Sequence, residues 1–182
     1  MGVRWEEEAL SLRQEISDWD LSIDKIKSEN ELNYDSIPSY YTQPFHGYKD
    51  GNLCVDAAVE QELAGKAVGA RNFPELGIKG EAFLRSSYED EIKKLGGLVI
   101  VDGAICLDLG CGTGTSTRRL AKLFPQASKV IGIDLSPYMI AVGRLLLDNR
   151  HDRIGVDRES GSERDRERDS EGVTVVGERD DK

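Results

Sequence analysis

An α/β fold built on a parallel sheet is predicted by three observations. Ala104 to Gly110, "AICLDLG", is a continuous apolar run ending on an acid and a glycine. Such a run is the pattern of a strand buried on both faces. The glycine-rich turn "CGTGTS" follows at once and opens a helix, "TRRLAKLF", which stops at Phe124-Pro125. A second apolar strand, "KVIGID" from Lys129 to Asp134, is followed by Ser136-Pro137 and "YMIAVGRLLL". Serine as N-cap with proline at the first helical position marks a helix start. Strand, helix, strand, helix at this pitch calls for parallel strands with right-handed crossovers.

The flanking segments are of other kinds. Residues 4–33 read as an acidic, weakly amphipathic helical stretch, with Leu12, Ile16, Trp19, Ile23 and Ile26 near helical spacing. From Asn33 to Gly51 the chain sets Tyr34, Tyr40, Tyr41, Phe45 and Tyr48 among prolines and glycines, an aromatic loop that either lids a ligand or packs on the core. A small-residue helix is expected from about Leu53 to Ala70, with Asp56, Glu60 and Glu62 on its polar side. Another is expected from Glu81 to Leu95, closed by Gly96-Gly97. From Asp148 onward there are twelve acids and eight bases, and the only aliphatics are Ile154, Val156, Val173, Val175 and Val176. That composition predicts disorder, since too little apolar surface is present to offset ordering. Three regions are therefore expected: an acidic helical extension at 1–33, a partial domain at 34–147 and a disordered charged tail at 148–182.

Composition narrows the function classes. The net charge of −10 in 182 residues argues against general binding to nucleic acid or anionic membranes. No apolar run approaches the ~20 residues that span a bilayer. Cys54, Cys106 and Cys111 are odd in number and form no CxxC, so a disulfide framework is not expected. His46 and His151 have no cysteines at metal-ligand spacing, and no metal is expected. Nine acids up to Glu31 leave no visible transit peptide.

The chemistry sits in Asp108-Leu109-Gly110-Cys111-Gly112-Thr113-Gly114. A dinucleotide fingerprint would place glycine at 115, where this chain has Thr115, and this argues against a nicotinamide-dependent oxidoreductase. A P-loop would end in lysine and a hydroxyl residue, and no lysine follows. The pattern present is DxGxGxG with a second acid, Asp134, closing the next strand. Glycines 110, 112 and 114 remove side chains, so that the backbone can approach a ligand closely. The helix starting near Ser116 aims N–H groups at the turn, which suits a carboxylate. Asp108 can face an ammonium or fix the loop, and Asp134 can accept both hydroxyls of a ribose. Cys111 is expected to be a small buried filler, because no base is placed beside it. His46, near the aromatic loop, is either a general base or a structural residue, and with no orienting acid visible the structural role is expected. Arg118 and Arg119 are expected on a solvated helix face.

"LDLGCGTGTSTRRLAKLFPQASKVIGIDLSPYMIAVGRLLL" resembles the class I S-adenosylmethionine-dependent methyltransferases. "YYTQPFHGYKDGNLCVDAAVEQE" further resembles a plant and cyanobacterial branch related to the ubiquinone/menaquinone-type enzymes. The specific motifs cover residues 105–147. The resemblance implies a Rossmann-like fold with strand order 3-2-1-4-5-7-6, of which this chain carries the N-terminal half: the first two strands and their helices. It implies S-adenosyl-L-methionine as cofactor, held by Asp108, Gly110, Gly112, Gly114 and Asp134, with Leu135 against the adenine. The acceptor it implies is a small molecule, quinone-like or otherwise apolar, and the catalytic residues stay unassigned. The motif after the fourth strand, which lines the reacting methyl, has no counterpart, so catalysis by this chain alone is not expected. The tail is expected to be sequence carried past a splice boundary or out of frame. The alternative reading is a non-catalytic fragment that binds cofactor weakly or associates with a full-length relative. The branch implies a plastid stroma or a cytoplasmic setting.

Overall fold

The computed structural model describes residues 4–29, 37–95, 101–153 and 173–177. Two short helices come first, α1 (Trp5–Glu15) and α2 (Trp19–Glu29). The single helical stretch expected over 4–33 is broken because Asp18 starts a new helix: its Oδ1 accepts the Leu21 N–H at 2.9 Å. Turns then carry residues 37–54 into α3 (Val55–Asn72). A 3₁₀ turn at Gly77–Lys79 leads into α4 (Gly80–Lys94). The parallel unit follows as β1 (Ile105–Leu109), α5 (Thr115–Leu123), β2 (Lys129–Asp134) and α6 (Pro137–Arg153), and β3 (Val173–Gly177) completes the described chain. Tyr34, Gly96 and Gly97 lie outside the described residues.

The α/β expectation holds. β1 and β2 pair in parallel with Ile105 opposite Lys129 and Leu109 opposite Ile133. The expected first two strands are joined by a third. β3 pairs with β2 in parallel, from Val130 opposite Val173 to Asp134 opposite Gly177, giving the sheet order β1-β2-β3. The disorder expected from 148 onward therefore does not extend to two parts of that segment. Residues 148–153 continue α6, with no glycine or proline before Gly155 to stop it. Val173 to Gly177 form a strand because Val-Thr-Val-Val is rich in β-branched residues, and a strand needs only a partner edge, which β2 supplies. Residues 154–172 and 178–182 lie outside the described residues.

Two cores hold the helices to the sheet unit. In one, Ala57, Ala58, Val59 and Leu63 of α3 meet Ala9 of α1 and Met139 and Val142 of α6. In the other, Ile23 and Ile26 of α2 meet Cys111, Ile140 and Ala141. The acidic extension thus packs into the same cores as α3 and α6 through the apolar residues whose spacing marked it as helical. α3 and α4 meet at backbone contact: a Cβ on Gly69 would overlap the Glu81 amide nitrogen, and one on Gly80 would overlap the Gly69 carbonyl.

The strand expected to be buried on both faces is covered on one. Along β1, Ile105, Leu107 and Leu109 are 62%, 59% and 73% exposed. An apolar run shows that both faces are suited to burial. Whether a neighbour covers each face is decided elsewhere in the chain, and among the described residues β1 is one of the two edge strands, with β3 the other.

Leu63, 2% exposed in the first core, tests the packing. Leu63→Ala is expected to lower unfolding stability by about 2–5 kcal/mol, read as a lower urea midpoint at unchanged m-value. A change below 0.5 kcal/mol, roughly that of a surface substitution, would show that α3 is not seated on α6 as described.

Candidate functional site

The glycine turn links the tip of β1 to α5, and its backbone donors are used internally. The N–H groups of Gly110 and Cys111 both donate to the Ile133 carbonyl at 2.8 and 3.0 Å, tying the turn to the end of β2. Gly112 N–H donates to Asp134 Oδ2 at 2.8 Å, and Gly114 N–H to the Cys111 carbonyl at 2.9 Å. Thr113 N–H donates to Gln61 Oε1 of α3 at 2.6 Å. Residues 110, 112 and 114 all take positive φ, at 72°, 57° and 78°.

Gly110 and Gly112 differ in what lies in front of them. A Cβ on Gly110 would meet nothing within 4 Å. A Cβ on Gly112 would overlap the Gln61 side-chain amide. The room that glycine leaves at 112 is therefore taken by α3, and the open approach to the turn is at Gly110.

The two acids flank this turn. Asp108 Oδ2 accepts the hydroxyls of Ser116 and Thr117, each at 2.7 Å, which fixes the first turn of α5. Among the described residues its Oδ1 accepts no hydrogen bond. Asp134 is 9% exposed and accepts three. Besides the Gly112 N–H on Oδ2, its Oδ1 accepts the Ser136 N–H at 2.8 Å and the Tyr41 hydroxyl at 3.2 Å. Ser136 performs the expected capping of α6: its Oγ accepts the Met139 N–H at 3.3 Å and donates to the Asn52 carbonyl at 2.6 Å. Leu135 is half-buried on the bend between them. Burial, and then the charge of Asp134, push the Tyr41 phenol well above its ordinary range.

Cys111 is buried, and its Sγ lies where a Cβ on Gly132 would press against it at 2.9 Å. Burial first, with Asp134 and Asp108 adding to it, pushes its thiol up to about 12. A thiol so placed stays protonated at neutral pH and serves as filler. His46 stands exposed in a turn, at φ 51°, with its ring 3.9 Å from that of Phe45. No orienting acid meets it among the described residues. Phe45 and Tyr48 pair as an antiparallel bridge, and the Tyr48 hydroxyl donates to Glu60 Oε2 at 2.6 Å.

Sequence reasoning missed the contribution of α3 and misplaced Arg118. Arg118 is 6% exposed. Its Nη1 donates to the Thr113 carbonyl at 2.7 Å, and its Nη2 pairs with Glu62. Glu62 Oε1 also accepts the Thr115 hydroxyl at 2.7 Å. Arg119 is half-buried, paired with Glu89 and bonded to the Ser86 hydroxyl at 3.0 Å. Two adjacent arginines on a short helix look solvated in one dimension. The available signal was the acid-rich "VEQELAG" of α3, whose half-buried Glu62 needs a polar partner once that helix packs on the turn.

Residues 106–175 match a family model described as a methyltransferase domain, a span that runs from β1 into β3. The chain is 33% identical over 101 residues to the isonocardicin synthase of Nocardia uniformis subsp. tsuyamanensis, covering 56% of this chain and 32% of that one. It is 44% identical over 62 residues to a trans-aconitate 2-methyltransferase of Variovorax paradoxus, covering 31% and 24%. An uncharacterized methyltransferase of Emericella nidulans is 53% identical over 36 residues, 20% of this chain and 13% of the relative. The chain thus spans a third or less of the length of these curated relatives. No solved structure gives a significant match. No helix among the described residues is long and apolar enough to cross a membrane.

Two outcomes are expected from this geometry. Glu62→Ala removes the carboxylate facing a buried guanidinium and should cost about 3 kcal/mol or more, with part recovered in the double variant Glu62→Ala/Arg118→Met; urea unfolding of the three chains measures both. At pH 8, below the raised Cys111 value of about 12, a thiol reagent should label Cys111 only after unfolding. Mass spectrometry of the labelled peptides reads this directly, and labelling of folded Cys111 at the rate of a small-molecule thiol would refute its burial.

Proposed function

We propose that this chain, a member of the class I S-adenosylmethionine-dependent methyltransferases, binds S-adenosyl-L-methionine at the open side of the glycine turn. The observation that carries the reading is the position of Asp134. Its carboxylate closes β2, is coupled through the Gly112 N–H to the turn, and already accepts a hydroxyl, that of Tyr41. A carboxylate that holds a phenol hydroxyl is chemically fit to hold the hydroxyls of a ribose.

The remaining residues suit the rest of such a ligand. Asp108 has one oxygen committed to the Ser116 and Thr117 hydroxyls, which leaves the other to face an ammonium. Gly110 gives the backbone an unobstructed approach, and Leu135 offers an apolar surface beside Asp134 for the adenine. Gly112 and Gly114 act one step back, shaping the turn: Gly112 admits Gln61, and Gly114 takes the left-handed conformation that starts α5. Two carboxylates at the turn favour a cationic amino acid and disfavour a pyrophosphate, in keeping with the absence of glycine at 115. When bound, the cofactor supplies an activated methyl on a sulfonium. The protein's part is to hold its ribose and amino-acid ends so that the methyl faces an acceptor, a small molecule that is quinone-like or otherwise apolar. No residue is assigned as the catalytic base, and turnover is expected to need groups beyond those described.

A second reading is favoured by the exposed face of β1. Ile105, Leu107 and Leu109 present apolar side chains at the edge of the sheet. Such an edge invites pairing, and a full-length relative is the partner this reading takes. Size-exclusion of the chain mixed with such a relative would return a mixed complex under this reading and two separate peaks otherwise.

Calorimetric titration with S-adenosylhomocysteine tests the first reading. The expected result is binding that weakens about a hundredfold, 2.8 kcal/mol, in Asp134→Asn, a variant that keeps one carbonyl acceptor in place. Circular dichroism checks that both chains are folded. Equal affinity in the two, or no heat of binding from a folded wild type, would overturn the assignment.

A further inference from the structure

We infer that the Tyr41 hydroxyl occupies the Asp134 carboxylate as an internal stand-in for a ligand hydroxyl, and that cofactor entry proceeds by exchange of the one for the other. The inference rests on the reading of Asp134 as a ribose acceptor.

The argument is one of counting. An ionised carboxylate offers about four acceptor positions on its two oxygens. Three are taken at Asp134, by the Gly112 N–H, the Ser136 N–H and the Tyr41 hydroxyl. A ribose diol that donates twice needs two positions, and one is left. One of the three donors must leave.

The two backbone donors are locked. Gly112 is buried beneath Gln61 at the heart of the turn, and releasing its N–H would undo the link between the turn and β2. Ser136 is fully buried and caps α6. Tyr41 belongs to neither element. It stands on the run of turns from 37 to 54, where neighbours Tyr40, Thr42 and Gln43 are exposed. It is also the one donor that comes from a side chain. Releasing it breaks the bond to Asp134, which an incoming hydroxyl replaces in kind, and the contact of the same phenol with the Asn52 side chain on its own loop.

The exchange has a structural use. Asp134 is almost wholly buried, and a carboxylate so placed is costly when under-bonded. Tyr41 keeps it satisfied while no ligand is present. The loop that carries Tyr41 then swings aside as the ligand arrives, so loop opening and ligand binding are one equilibrium.

Tyr41→Phe removes the competing hydroxyl and leaves the ring. S-adenosylhomocysteine should bind this variant about three- to tenfold more tightly than wild type, the worth of one released hydrogen bond. Tyr48→Phe, which cuts the loop's other hydroxyl contact, at Glu60, should leave the affinity unchanged. Equal or weaker binding by Tyr41→Phe overturns the exchange and makes the phenol a bystander or a ligand contact. A matching gain in Tyr48→Phe also overturns it, since general loosening of the loop would then suffice. A wild-type measurement guards against misfolding of the variants: with the tyrosines labelled at Cζ, the Tyr41 resonance should move to the position of solvent-exposed tyrosine at saturating ligand, and an unmoved resonance overturns the proposal. The two readings fail separately. Loss of binding in Asp134→Asn alongside weakened Tyr41→Phe keeps the cofactor site and removes the exchange, whereas no binding by any folded chain removes the cofactor site itself.

Discussion

Three separate pieces of the chain meet at the Asp134 carboxylate. It receives the Gly112 N–H from the turn after β1, the Ser136 N–H from the start of α6, and the Tyr41 hydroxyl from the N-terminal loop. A buried carboxylate has to be satisfied by hydrogen bonds, and each donor that satisfies it also ties an element to the end of β2. The register of β1 on β2 brings the turn within reach, because Leu109 lies opposite Ile133, whose carbonyl takes the Gly110 and Cys111 N–H groups. Strand pairing, turn shape and helix start are in this way coupled through one side chain.

α3 anchors the other side of the turn. Gln61 takes the Thr113 N–H, and Glu62 takes Thr115 and Arg118, while Arg118 returns to the Thr113 carbonyl. The helix thereby serves as a lid on the buried half of the turn and leaves the Gly110 side open. The apolar face of α3 makes this attachment possible: Ala57, Ala58, Val59 and Leu63 bury against α1 and α6, which sets the exposed Gln61 and the half-buried Glu62 over the turn. Removing α1 would therefore act on the turn at a distance, by unseating α3, whereas α2 bears on it directly through Ile23 and Ile26 in the core that holds Cys111.

The sheet shows how local signals and tertiary context divide the work. β1 and β2 were legible as apolar runs, and the glycine turn, the Ser136 cap and the stop at Phe124-Pro125 were legible from residue type alone, since each rests on backbone geometry within a few residues. β3 was not. Its Val-Thr-Val-Val core is short and sits among charges that predict disorder, and only the free edge of β2 makes a strand of it. Arg118 shows the same limit on a helix. No local feature separates a solvated arginine from one that a distant glutamate draws into a buried pair.

By itself the sequence determined the class of fold, the place of the glycine turn and the two acids that flank it. These depend on short-range conformational preferences and on a spacing that survives without neighbours. Tertiary structure alone decided which glycine faces open space, which donors Asp134 has already accepted, and that Gln61, Glu62 and Tyr41 belong to the site at all. The contacts of Gln61, Glu62 and Tyr41 span 51 to 93 positions, and packing, which no local pattern encodes, brings such residues together.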